Sequence, residues 1–140
     1  MTLSRVRARL VLALLPVALI AAVACSDDKK DDQLPSPVAG TALLDPATNP
    51  TITFTDNKYN IPNVAVKTGT SVTVTFNNKG AAVHNWHVTG VKDTEGKEVN
   101  SGLINGGKSG TATFAFDKPG TYTIQCDVHP ADMRGSLTVQ

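Results

Sequence analysis

The chain has 140 residues, which leaves room for one modest domain once any processing segment is removed. Its 13 Lys and Arg residues nearly balance its 12 Asp and Glu residues. Three of the basic residues, Arg5, Arg7 and Arg9, lie at the extreme N-terminus, so the rest of the chain is slightly acidic. This balance excludes the basic surface that a nucleic-acid partner requires. Abundant Thr, Val and Gly after residue 40 favour strands over helices.

The first segment, residues 1–24, has the layout of a secretory signal peptide. The arginines are followed by uncharged apolar residues 10–24, which end in small residues and are too short to span a bilayer comfortably. Cleavage before Cys25 would resemble processing of a bacterial lipoprotein, with that cysteine lipidated, although Ala22 stands where leucine is usual. The alternatives are ordinary cleavage to a freely soluble exported protein, or an uncleaved membrane anchor. We expect a location in the periplasm or at the outer face of the cytoplasmic membrane, with membrane association through the lipid.

Residues 25–48 are expected to form a disordered tether. This stretch contains a run of charged residues at 27–32 and two prolines at 35 and 37, with almost nothing to bury. A lipidated Cys25 could not form a disulfide, and Cys126 would then be the only thiol of the domain. A lone cysteine in an oxidising compartment fits a metal ligand better than a structural bridge.

Residues 49–140 alternate apolar and polar side chains, which is the period of half-buried strands. We predict a Greek-key β-sandwich of about seven to eight strands, with no helical stripe. Between 89 and 108 the alternation is lost, and only an outer hairpin from Val91 to Val99 is predicted there. The expected inward rows are Ile52 and Phe54; Val64 and Val66; Val72, Val74 and Phe76; Ala112, Phe114 and Phe116; Tyr122, Ile124 and Cys126; and Leu137 and Val139.

The segment at 122–139 combines three metal-binding side chains within eight residues. Cys126, His129 and Met133 offer a thiolate, an imidazole and a thioether, between a strand that ends at the cysteine and another that begins at Gly135. Soft sulfur with imidazole suits copper, and two His with one Cys and a weak axial Met is the pattern of blue-copper sites. A second histidine is needed from elsewhere in the chain.

Residues 83–88 are the other place where histidines occur. If this segment is a strand, His84 shares an inward face with Trp86 and Val88, while Asn85 and His87 face outward. Trp86 is then a core aromatic and His87 a surface histidine with no role. His84 alone would be a satisfied core histidine, but the three candidate ligands at 126–133 make it the missing imidazole.

The sequence resembles the cupredoxins of the plastocyanin, azurin and auracyanin group. The resemblance covers residues 51–140 and is carried by three motifs, His84-Asn85-Trp86, Phe116 to Thr123, and Cys126 to Gly135. It implies that His84, Cys126 and His129 are trigonal ligands of one copper ion and that Met133 is the weak axial ligand.

Asn85 matches the residue that ties the two ligand segments together by hydrogen bonds in this family. Two positions depart from the family pattern. Asp127 stands where Ser or Thr is frequent, and the spacing from His129 to Met133 lies between the shorter and longer versions of the loop. Asp127 and Asp132 are interpreted as solvated loop charges rather than ligands.

The resulting prediction is a carrier of single electrons that cycles between Cu(I) and Cu(II). Four protein ligands leave no open position for a substrate, so we do not expect an enzyme. Expected partners are redox proteins such as a c-type cytochrome, a terminal oxidase or a membrane electron-transfer complex. Brief docking would use the apolar surroundings of His129, formed by Pro130 and Ala131 and by residues 81–83.

Three alternatives stay open from the residues alone. A copper-binding or delivery protein would use the same side chains, but with reversible metal release. A structural zinc site could use Cys and two His, yet it leaves Met133 without a purpose. A metal-free adhesion sandwich would make the four residues a coincidence. A binuclear copper centre is disfavoured by the single cysteine of the domain.

Overall fold

The computed structural model describes residues 38–140, and it contains ten β-strands in two sheets. In this part of the chain the helical structure consists of one 3-10 turn, Pro46–Thr48. The strands are β1 (Ala42–Leu43), β2 (Thr51–Thr55), β3 (Lys58–Tyr59), β4 (Asn63–Val66), β5 (Val72–Asn78), β6 (His87–Lys92), β7 (Glu98–Asn100), β8 (Ser109–Phe114), β9 (Gly120–Gln125) and β10 (Arg134–Val139).

The two sheets pack as a Greek-key β-sandwich. One sheet has six strands in the order β1-β4-β10-β9-β6-β7, and the other has four in the order β3-β2-β5-β8. The pairs β1/β4, β4/β10 and β2/β5 are parallel, and the remaining pairs are antiparallel. The predicted fold class is confirmed, with about ten strands in place of the seven to eight expected.

The core lies between the sheets and is filled by the residues that the alternation selects. Of the predicted inward positions, Ala112 and Tyr122 are half-buried and the others are buried. Aromatic rings run through this core from Phe54 through Phe76 and Trp86 to Phe114, with neighbouring ring centroids 5.5–5.8 Å apart. This packing makes the sandwich a rigid support for the loops at its ends.

A tight turn between β2 and β3 sets the position of a buried tyrosine. Asp56 and Asn57 have φ angles of 44° and 60°, and Thr55 pairs with Lys58 across them. Two left-handed central residues define the hairpin turn that matches the twist of a sheet, and Asn and Asp tolerate that conformation. Tyr59 therefore points into the core.

The predicted tether ends earlier than expected. Ala42 and Leu43 pair with β4, and the side chain of Leu44 is 4% exposed. Residues 42–48 are thus folded, because burial of Leu44 and pairing with β4 stabilise them. The polar and proline-rich sequence around Leu44 did not predict this burial. The expected signal peptide at 1–24, the lipidation at Cys25 and the tether from 25 to 37 lie outside the described residues.

The unassigned region 89–108 contains the predicted outer hairpin. β6 and β7 pair around a turn in which Gly96 has a φ of 77°. After β7 the chain crosses the end of the sandwich, where Ile104 forms an isolated bridge with His84. Among residues 38–140, no helix has the length and apolarity needed to cross a membrane.

Candidate metal centre

The connection between β9 and β10, Cys126–Met133, is called the ligand loop below. Gln125 and Arg134 are the last paired residues of the two strands, and the amide of Cys126 donates to the carbonyl of Met133 at 3.0 Å. The antiparallel pairing thus extends one residue further. The cysteine and the methionine, seven positions apart in the chain, therefore lie opposite each other at the end of the sheet.

Backbone hydrogen bonds close the ligand loop on itself. His129 donates to the carbonyl of Cys126 at 3.2 Å, and Met133 donates to the carbonyl of His129 at 3.0 Å. The guanidinium of Arg134 also donates to the carbonyl of Pro130. The loop fixes the position of His129 with contacts that are local in sequence.

The segment that carries His84 is held by Asn78 at the end of β5 and by Ile104 in the segment that crosses the end of the sandwich. The backbone of His84 exchanges two hydrogen bonds with Ile104, at 3.1 and 2.8 Å. The buried amide of Asn78 donates to the carbonyls of Ala82 and Ile104 at 2.7 and 2.8 Å, and accepts from Gly80 at 3.0 Å. Asn78 thereby fastens both sides of the segment that carries the histidine.

Three donor atoms converge between these segments. The Nδ1 atoms of His84 and His129 lie 3.9 and 3.8 Å from the Sγ of Cys126, and all three donor atoms lie within 4.8 Å of one another. An ion about 2.0–2.3 Å from each of two such donors would separate them by up to about 4 Å. The two distances from Sγ to the imidazole nitrogens therefore fit one shared metal ion. His84 and Cys126 are fully buried, and His129 is partly exposed.

The fourth predicted ligand, Met133, is fully buried on the opposite strand from Cys126. Its thioether belongs to the soft ligands that select copper over hard cations. Its assignment as the axial ligand stays a prediction.

The electrostatics of the site favour a neutral imidazole. Burial, and then the neighbouring His129, lower the pKa of His84. The neutral form is the one that binds a metal. Its Nε2 atom is buried without a hydrogen-bond partner among residues 38–140, close to the backbone of Gly80.

Asn85 ties the two ligand segments together. Its Oδ1 accepts from the backbone amide of Asp127 at 2.8 Å, and its Nδ2 donates to the carboxylate of Asp127 at 2.7 Å. Its carbonyl accepts from the hydroxyl of Tyr59 at 2.9 Å. The link expected from the family resemblance is therefore present, although the partner is an aspartate. Asn85 is 1% exposed rather than outward-facing, because β6 begins only at His87 and strict alternation does not hold before it.

The histidine predicted to be without a role also contacts this network. The side chain of His87 is 18% exposed, and its Nδ1 lies 3.0 Å from Oδ1 of Asp127. Its Nε2 lies 3.9 Å from Glu98. Asp127 and Asp132 are both exposed, as predicted for loop charges. The sequence did not predict that Asn85, His87, Asn100 and Gln125 all contact the carboxylate of Asp127. Only the fold reveals these partners, because no local pattern links positions up to 42 residues apart.

These contacts set the charge of Asp127. Partial burial raises the pKa of its carboxyl group, but hydrogen bonds from His87, Asn85 and Gln125 outweigh burial and lower the pKa overall. A carboxylate held in its anionic form thus lies next to Cys126 in the chain.

The residues expected around an electron port differ in exposure. Pro130, Ala131, Ala81 and Ala82 are exposed, and Val83 is half-buried. Val128, which the sequence did not single out, is 42% exposed in the ligand loop. These side chains are small and apolar.

Comparison with known proteins agrees with the fold and the site. The Cupredoxin-like domain model matches residues 15–139, and the chain belongs to that family. Amicyanin-alpha of Methylorubrum extorquens is 32% identical over 95 residues, which cover 68% of this chain and 75% of the relative.

Two solved structures illustrate the range of the similarity. Reduced auracyanin from Roseiflexus castenholzii matches with a TM-score of 0.55 and 25% identity, covering 73% of this chain and 98% of that one. A copper-containing nitrite reductase from Thermus scotoductus matches with a TM-score of 0.54 and 22% identity, covering 72% of this chain and 28% of that one. The second likeness shows a shared fold only.

The predicted resemblance to cupredoxins is thus confirmed. One copper ion is the cofactor that this family and the group His84, Cys126 and His129 support. Thiolate and imidazole donors suit that metal chemically.

Proposed function

We propose that the protein is an exported carrier of single electrons with one type 1 copper site. The ligands would be His84, Cys126 and His129, with Met133 as a weak axial ligand. The observation that carries the proposal is the convergence of a buried thiol and two imidazoles at one end of a rigid sandwich. The buried thioether of Met133, opposite Cys126, supports copper over zinc, because a thioether is not among the usual ligands of zinc.

The residues around the site favour electron transfer over substrate chemistry. Copper, when bound, supplies a one-electron couple whose potential depends on its ligands and their surroundings. Hydrogen bonds from Asn78, Asn85 and Tyr59 hold the ligand segments, so their geometry changes little when the charge of the site changes. Four protein donors leave no position open for a substrate, and we therefore infer that the protein is not an enzyme.

Electrons would enter and leave at His129, the ligand that is partly exposed. Pro130, Ala131 and Val128 offer small exposed apolar side chains in the same loop. Such a surface suits brief contact with a redox protein, for which a c-type cytochrome, a terminal oxidase and a membrane electron-transfer complex are the candidates.

The proposed location follows from the N-terminal sequence. Residues 1–24 would direct export, and a lipidated Cys25 would hold the carrier at a membrane surface. Mass spectrometry of the N-terminus of the protein isolated from its own cells tests both steps. A mature chain that begins with diacylated Cys25 supports the anchor, and an unmodified N-terminus contradicts it.

The test of the function is the visible absorption spectrum after addition of Cu(II), with Cys126→Ser as the matched variant. We expect an intense blue or green colour from thiolate-to-copper charge transfer, bleached by ascorbate and absent in the variant. A protein that stays colourless, or that shows only the faint colour of nitrogen and oxygen ligands, contradicts the proposal. That result would favour copper delivery or a zinc site.

A further inference from the structure

Four side chains from outside the ligand loop converge on one carboxylate, that of Asp127. Oδ2 accepts from the amides of Asn85 at 2.7 Å and Asn100 at 3.4 Å. Oδ1 lies 3.0 Å from Nδ1 of His87 and accepts from the amide of Gln125 at 3.5 Å. This set of five residues is called the Asp127 cluster.

Within the Asp127 cluster, Asn85 holds Asp127 through both its backbone and its side chain. The backbone amide of Asp127 donates to Oδ1 of Asn85 while the carboxylate accepts from Nδ2 of the same side chain. The two bonds hold the aspartate at two points, which removes most of the freedom of a loop side chain. A carboxylate that accepts several hydrogen bonds keeps its charge.

The Asp127 carboxylate also lies close in the chain to the candidate ligands. Asp127 follows Cys126 directly, and Asn85 follows His84 directly, so the cluster adjoins two of the ligands in the chain. The carboxylate is 41% exposed, which makes its field weaker than that of a buried ion but stronger than that of a fully solvated one.

We propose that Asp127 is a positioning residue that also lowers the reduction potential of the metal centre. Its fixed negative charge stabilises the more positive, oxidised state of the site relative to the reduced state, and its hydrogen bonds hold Cys126 and His84 in register. This inference rests on the proposed copper function. It goes beyond the link between Asn85 and the ligand loop. That link needs only the backbone amide of residue 127, whereas the carboxylate of Asp127 adds a negative charge.

The ligand loop provides a matched control in Asp132. This residue is exposed, and none of the salt bridges within residues 38–140 involves it. Asp127→Asn and Asp132→Asn each remove one negative charge from the same loop with almost no change in shape. The amide introduced at position 127 can keep its oxygen toward Asn85, and an imidazole can accept from its nitrogen by changing tautomer.

The experiment is a redox titration of the copper-loaded protein, followed by its charge-transfer absorption at pH 8, above the usual imidazole pKa of about 6.5. We expect Asp127→Asn to keep the charge-transfer band and to shift the midpoint potential upward by clearly more than Asp132→Asn. Equal shifts, or no upward shift for Asp127→Asn, would overturn the inference.

Two further measurements separate the possible failures. Denaturant unfolding of the metal-free variants measures how far Asp127 stabilises the fold. If Asp127 only positioned the ligand segments, Asp127→Asn would lower the free energy of unfolding and leave the reduction potential unchanged. The unaltered protein reports the proposed function itself. If it lacks the charge-transfer band, the copper proposal fails; if it has the band and the variants titrate alike, only the role of Asp127 fails.

Discussion

The two segments that carry the candidate ligands are held in opposite ways. The ligand loop closes through backbone hydrogen bonds among Cys126, His129 and Met133, all within eight residues. The segment around His84 is not a regular strand, and it depends on Asn78 and Ile104, which come from other parts of the chain. One segment is organised by its own sequence and the other by the fold around it.

This difference has a consequence for the site. His129 of the ligand loop is partly exposed, as the proposed electron port requires, whereas His84 is fully buried. A metal shared between the two segments needs both to be in place before it binds. The mutations below disturb each segment separately and are ordered from the largest expected effect to the smallest.

Gly135→Ala is expected to disturb the ligand loop most. A Cβ at this position would lie 1.8 Å from the carbonyl oxygen of Pro62, which also accepts a hydrogen bond from Ser136 at 3.0 Å. A backbone atom cannot move aside as the end of a side chain can. The start of β10 must therefore move away from Pro62 and the adjoining strand β4. We expect a loss of about 3 kcal/mol or more in the free energy of unfolding, measured by denaturant titration of the metal-free protein.

The matched control is Gly110→Ala, also within a strand. Its Cβ would lie 2.9 Å from Cδ1 of Ile104, the far end of a flexible side chain. The expected cost is about 1 kcal/mol. Similar losses for the two variants would show that the contact with Pro62 does not determine the position of β10.

Asn78→Ala is expected to disturb the segment around His84. The change removes the bonds to the carbonyls of Ala82 and Ile104 and to the amide of Gly80, all in a buried position. We expect a loss of about 2–4 kcal/mol in the free energy of unfolding, because buried polar groups stay unsatisfied. Copper affinity of the variant should fall as well.

Asn77→Ala serves as the control for Asn78→Ala, because the two residues are neighbours on β5. Asn77 is half-buried and accepts one side-chain hydrogen bond, from Ser109 at 2.7 Å. Asn77→Ala should cost about 0.5–1 kcal/mol and leave copper affinity unchanged. If Asn78→Ala costs no more than this, the amide of Asn78 does not hold the segment.

Apart from the controls, Tyr59→Phe is the mildest change, and it tests the pH dependence of the link to Asn85. Burial, and then the charges of Cys126 and Asp127, raise the pKa of the Tyr59 hydroxyl well above its usual range. At pH 7 the loss of the bond to the Asn85 carbonyl should cost about 1 kcal/mol. The stabilisation by a group with a raised pKa is fully present below the unfolded pKa, about 10 for tyrosine, and is lost as the pH rises above it.

The difference in unfolding free energy between the unaltered protein and Tyr59→Phe should therefore be constant from pH 7 to about 9 and shrink at higher pH. Denaturant titrations of the metal-free protein over this range measure it. A difference that stays constant to pH 11 would contradict a raised pKa of Tyr59 in the folded protein.

Much of the fold could be predicted because strand burial follows a simple period. Val72, Val74 and Phe76 alternate with polar residues and are buried as expected. The first strand was missed because two paired residues are too few to show a period. Asn85 was placed on the wrong face because the segment before β6 is irregular, and irregular backbone has no alternation to read.

The sequence by itself determined the donor chemistry. A cysteine, a histidine and a methionine within one short loop between two strands can meet through local contacts alone, and their types select a soft metal. The tertiary structure decided the rest: that His84 reaches Cys126 across 42 residues, that Tyr59 supports Asn85, and that four side chains fix the charge of Asp127. Contacts between strands distant in sequence depend on how the sheets stack and pair, and a local pattern carries no information about that stacking.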